Sequence, residues 1–325
     1  MIVAAYIAEG NFKGLRPGDA GRLTHVNFSF AVVKDGKGSV AHWKNSAAVR
    51  EFTRNRGHIK AILSVGGWGA GGFSPAVATP EAREIFAQSL VDIVNDYDFD
   101  GIDMDWEYPC DGVAGIEYSS DDKPNYTAFI QLLRDKMGPD KIVSMAAGAM
   151  QSCVESLELD KLVKLMDFIN IMTYDMCPWD KVNYHTALYT SDMAQNRSGH
   201  DGIKMYEKAG VPRDKLTLGC AFYARIYRGV DGHGAPADGP PGFSGGYADT
   251  LAQVEKAGGL QYDTQAEAPY AYDAREKAFI TFDNPRSLKA KMAYVKDTGL
   301  AGIMFWEYSC DDEDSTLLKN LVGCE

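Results

Sequence analysis

The stretch Phe99–Pro109 reads FDGIDMDWEYP, and its alternation decides the fold. Along an extended strand alternate side chains share a face, so Asp103, Asp105 and Glu107 project together while Ile102, Met104 and Trp106 project to the other side. The apolar face is built to pack on helices. The opposite face carries three acids in a row, with successive Cα atoms roughly 6–7 Å apart by strand geometry. Three like charges in a sparsely solvated site cannot all ionise cheaply, so protons are shared and at least one pKa is raised. That suits a general acid. Glu107 is last in the row and nearest the C-terminal mouth of the strand, the face at which barrel enzymes meet substrate. A divalent-metal site, a solvated acidic edge and a structural ion-pair network are the competing readings of such a row. No His pair lies nearby, and calcium loops of the D-x-D-x-D-G type occupy turns rather than a strand followed by WEYP, so no metal is expected.

Working outward, short apolar runs alternate with longer segments of helical period, the pattern of parallel βαβ units. Strands are expected at 2–8, 25–32, 59–66, 99–107, 142–149, 167–174, 215–223 and 301–307. Helices are expected at Thr79–Asn95, Asn125–Met137, Leu159–Leu165, Asp201–Ala209 and Pro285–Asp297, several of them behind a Ser, Thr or Asp cap. Eight strands with intervening helices predict an α/β fold, a (β/α)8 TIM barrel. The rhythm breaks between Tyr227 and Asn284, where GVDGHGAPADGPPGFSGG is loop-like by its turn residues. A small α+β insertion between strands 7 and 8 accounts for it, because a structureless loop of that length would be out of place in a compact domain. The expected organisation is therefore a catalytic barrel of residues 1–227 and 285–325 with an insertion, 228–284, on its rim.

Composition narrows the partners. With 45% hydrophobic and 24% charged residues, a net charge of −12 and a pI near 5.0, the chain lacks the clustered positive field that nucleic acid or an anionic membrane requires. No run of about 18 apolar residues indicates a membrane span. The N-terminal MIVAAYIAEGN has no basic n-region and reads as a first strand rather than a signal peptide. None of the six cysteines forms a C-x-x-C pair. Reduced core thiols, or bridges among Cys110, Cys153, Cys177, Cys310 and Cys324, both remain open.

The acidic row, as D-x-x-D-x-D-x-E at Asp100, Asp103, Asp105 and Glu107, resembles the signature of the glycoside hydrolase family 18 chitinases. SVGGW at Ser64–Trp68 is similar to the third-strand motif of that family, MTYD at Met172–Asp175 to the sixth, and MFWEY around Trp306 to the eighth. Tyr6, Phe30, Tyr223 and Arg225 fall where members line the cleft. The matches span nearly the whole chain in the expected order. The residues agree on their own terms: Tyr174 shares a strand face with Phe168, Asn170 and Met172 and so turns toward Glu107. Trp306 ends a barrel strand, where a ring can stack on sugar. Gly66 and Gly67 let backbone or ligand approach closely, and no phosphate-binding glycine pattern follows them.

The resemblance implies a retaining chitinase that hydrolyses β-1,4 linkages between N-acetylglucosamine units with the substrate's acetamide as nucleophile. Glu107 would be the acid, Asp105 would orient the acetamide, Asp103 would share a proton with Asp105, and Tyr174 would bond the acetamide carbonyl. Tyr6, Phe30, Gly67, Trp68, Tyr108, Met172, Asp175, Tyr223, Arg225 and Trp306 would bind sugar. No cofactor is expected. The expected partner is chitin or its oligosaccharides, met outside the cell by a monomer, with no nucleic acid or membrane involved. An endo-acting enzyme on N-glycan cores would use the same acids, whereas a chitin-binding lectin would ordinarily have lost Glu107. Two features depart from the family pattern: the insertion is shorter than in many chitinases, and the segment CPWDKVNYHTALY after MTYD matches only loosely.

Overall fold

The computed structural model describes residues 1–192 and 197–323. Eight parallel strands form its centre: β1 (Ile2–Ala8), β2 (His25–Lys34), β3 (Lys60–Gly66), β4 (Gly101–Asp105), β5 (Ile142–Gly148), β6 (Phe168–Met172), β7 (Leu216–Ala221) and β8 (Gly302–Trp306). Each pairs with its neighbours in chain order, and β1 pairs with both β2 and β8, so the sheet closes into the (β/α)8 barrel. Helices follow most strands. Pro80–Asp96 starts where the Thr79 side chain accepts from the Ala82 amide, with Pro80 in the first turn where its missing N–H costs nothing. Pro285–Thr298 carries a full capping box between Asn284 and Ser287 and stops at Gly299 in the left-handed conformation. The first crossover, between β1 and β2, is made of two 3-10 turns, Glu9–Asn11 and Asp19–Gly21.

The alternation read in Phe99–Pro109 sorts the core. Ile102, Met104 and Trp106 join Phe73, Phe86, Leu90, Phe129 and Ile130 in the layer between strands and helices, each such side chain contributing about 1.5–3 kcal/mol by leaving water. Asp103 points the other way, and the parallel register sets Ser64 of β3 and Ser144 of β5 directly beside it.

Several strands end sooner than expected. β4 stops at Asp105, β6 at Met172 and β7 at Ala221, so Glu107, Tyr174 and Tyr223 lie beyond the barrel ladder, on backbone free to turn over the mouth. Tyr223 opens a second sheet. Its five antiparallel strands run, in spatial order, Gly242–Gly246, Tyr223–Arg228, Ala278–Thr281, Ala268–Asp273 and Gln261–Asp263, with the helix Tyr247–Lys256 beside them. The sheet therefore starts ahead of residue 228. Below it Asp283 and Lys291 form an ion pair at 2.6 Å, both about 1% exposed or less at the side chain. Thr186 Oγ1 and the Ala221 amide also donate to that carboxylate, tying the end of the second sheet to the loop after β6 and the tip of β7.

Cys110, Cys153, Cys177, Cys220 and Cys310 are free thiols; Cys324 lies outside the described residues. Among the described residues no helix is long and apolar enough to cross a membrane.

Candidate active site

Asp103 is the base of the site. It is fully buried, and four neutral donors converge on it: Tyr6 Oη at 2.8 Å and Ser64 Oγ at 3.0 Å on Oδ2, Ser144 Oγ at 2.7 Å and Asn170 Nδ2 at 3.2 Å on Oδ1. Asn170 is itself held by Thr217 Oγ1 at 2.7 Å. Four strands thus spend their inward polar residue on one carboxylate, as the burial of a polar group demands. Burial nonetheless raises the Asp103 pKa, against the pull of these hydrogen bonds.

Asp105, two residues on, is also buried, and its Oδ1 has no hydrogen-bond partner among the described residues. Burial first, then the charges of Glu107 and Asp103, push its pKa well above the carboxylate range. Glu107 is half-buried at the mouth. Burial raises its pKa to about 7, the charge of Asp175 adds to the rise, and a hydrogen bond with Tyr108 opposes it. Proton affinity is therefore raised along the whole row, and the outermost member titrates near neutrality. Among the described residues no group of His, Cys, Asp and Glu is arranged to hold a metal ion.

Over the row stands Tyr174, whose hydroxyl meets, among the described residues, only the weak acceptor Met304 Sδ, at 3.9 Å. Trp306 is half-buried, stacked on Phe30 with ring centroids 5.4 Å apart and planes 15° apart, and tilted against Tyr6 at 6.2 Å. Asp175 is clamped by Arg225 through Nε at 2.6 Å and Nη2 at 2.5 Å, and its Oδ1 is 3.4 Å from His185 Nδ1. Burial works against that anion, but the bonds from His185 and Arg225 outweigh it and hold its pKa well below the usual range. Trp68, 59% exposed, meets the ring of Tyr108 edge-on.

Residues 2–311 match the family model described as Glycosyl hydrolases family 18. The chain belongs to that family. Chitinase A1 of Niallia circulans is 35% identical over 85% of this chain and 44% of its own length. Endochitinase 1 of Metarhizium robertsii is 34% identical over 78% and 62%. The chain thus spans about half to two thirds of these curated relatives. A glycoside hydrolase family 18 N-acetylglucosaminidase from Paenibacillus barengoltzii superposes with a TM-score of 0.93 at 34% identity, covering 99% of both chains.

Placed in this family 18 site, the expected sugar-binding residues divide. Phe30, Trp68, Asp175, Arg225 and Trp306 keep accessible surface at the mouth. Tyr6 does not: it is 2% exposed and its hydroxyl serves Asp103, because an inward residue that low in β1 lies beneath the cleft floor. Tyr108 and Met172 are buried beside Ala146, Cys153 and Met304. Gly67, with φ of +90°, has no free space for a ligand; a Cβ there would lie 2.6 Å from the Phe30 ring. Its glycine is required by that ring. Tyr223 is buried under Phe243, with the two rings stacked at 5.7 Å.

Asp100, the first acid of the family signature, is not in the site. It precedes β4 at the opposite end of the barrel, bound to Arg56 Nε at 2.7 Å and to the Ala61 amide at 2.9 Å. Sequence reasoning gave no role to Ser64, Ser144, Asn170 and Thr217, nor to His185 and Phe243. Three of the first four, Ser144, Asn170 and Thr217, carry a signal that could have found them: each is a polar residue at an inward position of an otherwise apolar strand.

Proposed function

We propose that this family 18 member hydrolyses the β-1,4 linkages of chitin, with retention of configuration and with the substrate's acetamide as nucleophile. The observation that carries the reading is the grouping of a carboxyl that titrates near pH 7, Glu107, with two polar groups left without strong partners, the Asp105 carboxyl and the Tyr174 hydroxyl. An acid poised near neutrality is suited to protonating a leaving group. Buried, unpartnered polar atoms are costly unless something else satisfies them, and an acetamide offers one N–H and one C=O.

In the proposed cycle Glu107 donates its proton to the glycosidic oxygen. The acetamide carbonyl oxygen of the sugar on the other side of the bond attacks C1, the C1–O bond breaks, and a cyclic oxazolinium ion forms. Asp105 accepts from the acetamide N–H and, with its own proton passed to Asp103 beneath it, balances the positive charge as an anion. Tyr174 donates to the acetamide oxygen. The ionised Glu107 then takes a proton from water as that water opens the ring, which restores the acid and the original anomer. Trp306 on Phe30 supplies the platform that keeps the reacting sugar in attacking geometry. No cofactor takes part. A monomer acting outside the cell fits a substrate that is an insoluble polymer.

A second reading, release of single N-acetylglucosamine units from chain ends, is favoured by the end-to-end match with the Paenibacillus N-acetylglucosaminidase. Product analysis from a chitin hexamer tests both, with NMR of the new reducing ends. Oligomeric products with β anomers are expected for chitinase action, and the monosaccharide alone would shift the reading to chain-end release. An α anomer would overturn the mechanism. An intact hexamer alongside a trimmed glycoprotein would move the activity to N-glycan cores, and binding without any product would make the protein a lectin.

A further inference from the structure

The motif MFWEY sets an acid, Glu307, directly after the ring that floors the site, and the reaction just described gives that acid no part. Glu307 is 5% exposed. A carboxylate only accepts hydrogen bonds, and burying one is costly unless donors converge on it. Here they do: the Ala8 amide donates to Oε2 at 2.9 Å, while Asn11 Nδ2, at 3.3 Å, and the Ser309 hydroxyl donate to Oε1. Ala8 ends β1 and Trp306 ends β8, so this carboxylate joins the tips of the two strands that close the barrel.

A second buried glutamate continues the contacts. Glu9, 4% exposed, accepts from the Lys44 amide at 3.1 Å and from the Asn45 amide, and its carbonyl accepts from Asn45 Nδ2 at 3.2 Å. Trp43, one residue before Lys44, donates from Nε1 to the Phe30 carbonyl at 2.9 Å. The links close a ring. It runs from Trp306 through Glu307 to Ala8, through Glu9 to Lys44, from Trp43 to Phe30, and across the stacked rings back to Trp306. Polar networks whose members are satisfied rigidify the groups they join, and this one begins and ends on the aromatic pair proposed to carry the reacting sugar.

We propose that Glu307 is a positioning residue for the reaction: its carboxylate fixes the chain at Trp306 and thereby the plane on which the reacting sugar rests. The inference rests on the functional reading above, which makes that plane a sugar platform. In the proposed cycle Glu307 touches no substrate and moves no proton. Its influence on turnover passes through Trp306 alone, so losing it cannot harm the reaction more than losing Trp306 does.

The test is a double-mutant cycle of Glu307→Gln and Trp306→Ala, read as kcat/KM on a chitin hexamer, with Tm for each protein. Gln keeps the shape but offers one acceptor oxygen in place of two. In the wild-type background Glu307→Gln should lower kcat/KM by about three- to tenfold, bounded by the worth of the aromatic contact that it aligns. In the Trp306→Ala background the same change should lower it by less than about twofold, since residues that act through one another are not additive, whereas the fall in Tm persists. Equal losses of kcat/KM in the two backgrounds, or none in either, overturn the positioning role and leave the chitinase reading intact. Should Glu307→Gln not fold, Asn11→Ala, which removes a donor at an exposed residue, takes its place in the cycle with the same outcomes. If wild type leaves the hexamer uncut, the chitinase reading falls. The crystal structure of the substituted protein then decides the positioning: an indole displaced from Phe30 supports it, and an indole that has not moved overturns it.

Discussion

Among the buried carboxylates of the described residues, Asp283 and the row that starts at Asp103 are stabilised in opposite ways. Asp283, beneath the second sheet, has Lys291 at 2.6 Å and further donors in Thr186, Ser287 and the Ala221 amide. Its charge is matched by a cation and its lone pairs are filled. Among the described residues the row of Asp103, Asp105 and Glu107 has no such cation; the guanidinium of Arg225 is committed to Asp175. Removed from water without a counter-charge, these acids hold on to protons instead. Burial that a lysine compensates gives an inert tie between elements. Burial left uncompensated gives groups that exchange protons in the range where an enzyme works.

The contrast can be broken most directly at Glu107. Glu107→Gln keeps the shape and removes the transferable proton, so kcat should fall by about 10²–10⁴-fold, the usual worth of general acid catalysis, with the fold retained by circular dichroism. At the other cluster, Lys291→Met should leave Asp283 buried and unpaired. Breaking a buried pair in this way costs about 3–5 kcal/mol, to be read from urea denaturation, while the pH profile of the remaining folded enzyme stays as in wild type.

Trp306→Ala tests the site's apolar floor. Because Trp306 packs on Phe30 over the cleft rather than in the main core, kcat/KM should drop about tenfold, the upper range of a lost stacking contact, with a near-native melt. An unstable variant with full specific activity would make Trp306 a packing residue.

The smallest effect concerns pH. In the proposed cycle turnover needs Glu107 protonated, so activity should be present below its pKa of about 7 and be lost as pH rises through that value. Burial sets most of the rise and the negative charge of Asp175 adds to it. Asp175→Asn should therefore move the alkaline limb of the kcat/KM profile to lower pH, and a limb that stays put or moves upward would show that Asp175 does not act on Glu107 through its charge.

Much of this organisation was legible before any coordinates. Strand β1 spans the expected residues, and the face shared by Asp103 and Asp105 follows from a period of two. The insertion announced itself by turn residues. What stayed hidden depended on register or on irregular chain. Ser64 and Ser144 acquire meaning only when β3 and β5 set them beside Asp103, and neither strand carries that alignment by itself. His185 and Phe243 sit in segments without periodicity, where contact is decided by how loops drape over the mouth. Asp100 misled in the other direction. It stands in the same short signature as Glu107, yet one strand length separates them, and an arginine claims it at the far end.

The closure of β1 against β8 also sets an order of events. Ile2–Ala5 pair with Gly302–Phe305, so β1 has an open edge on one side until β8, the last strand of the barrel, has been made. An unpaired edge invites other strands, and a growing chain exposes it until the barrel can close. The same seam carries Tyr6 against Trp306. That aromatic pair is therefore among the last parts of the barrel to form, and a nascent chain can hold the acidic row well before it has the platform proposed for the sugar.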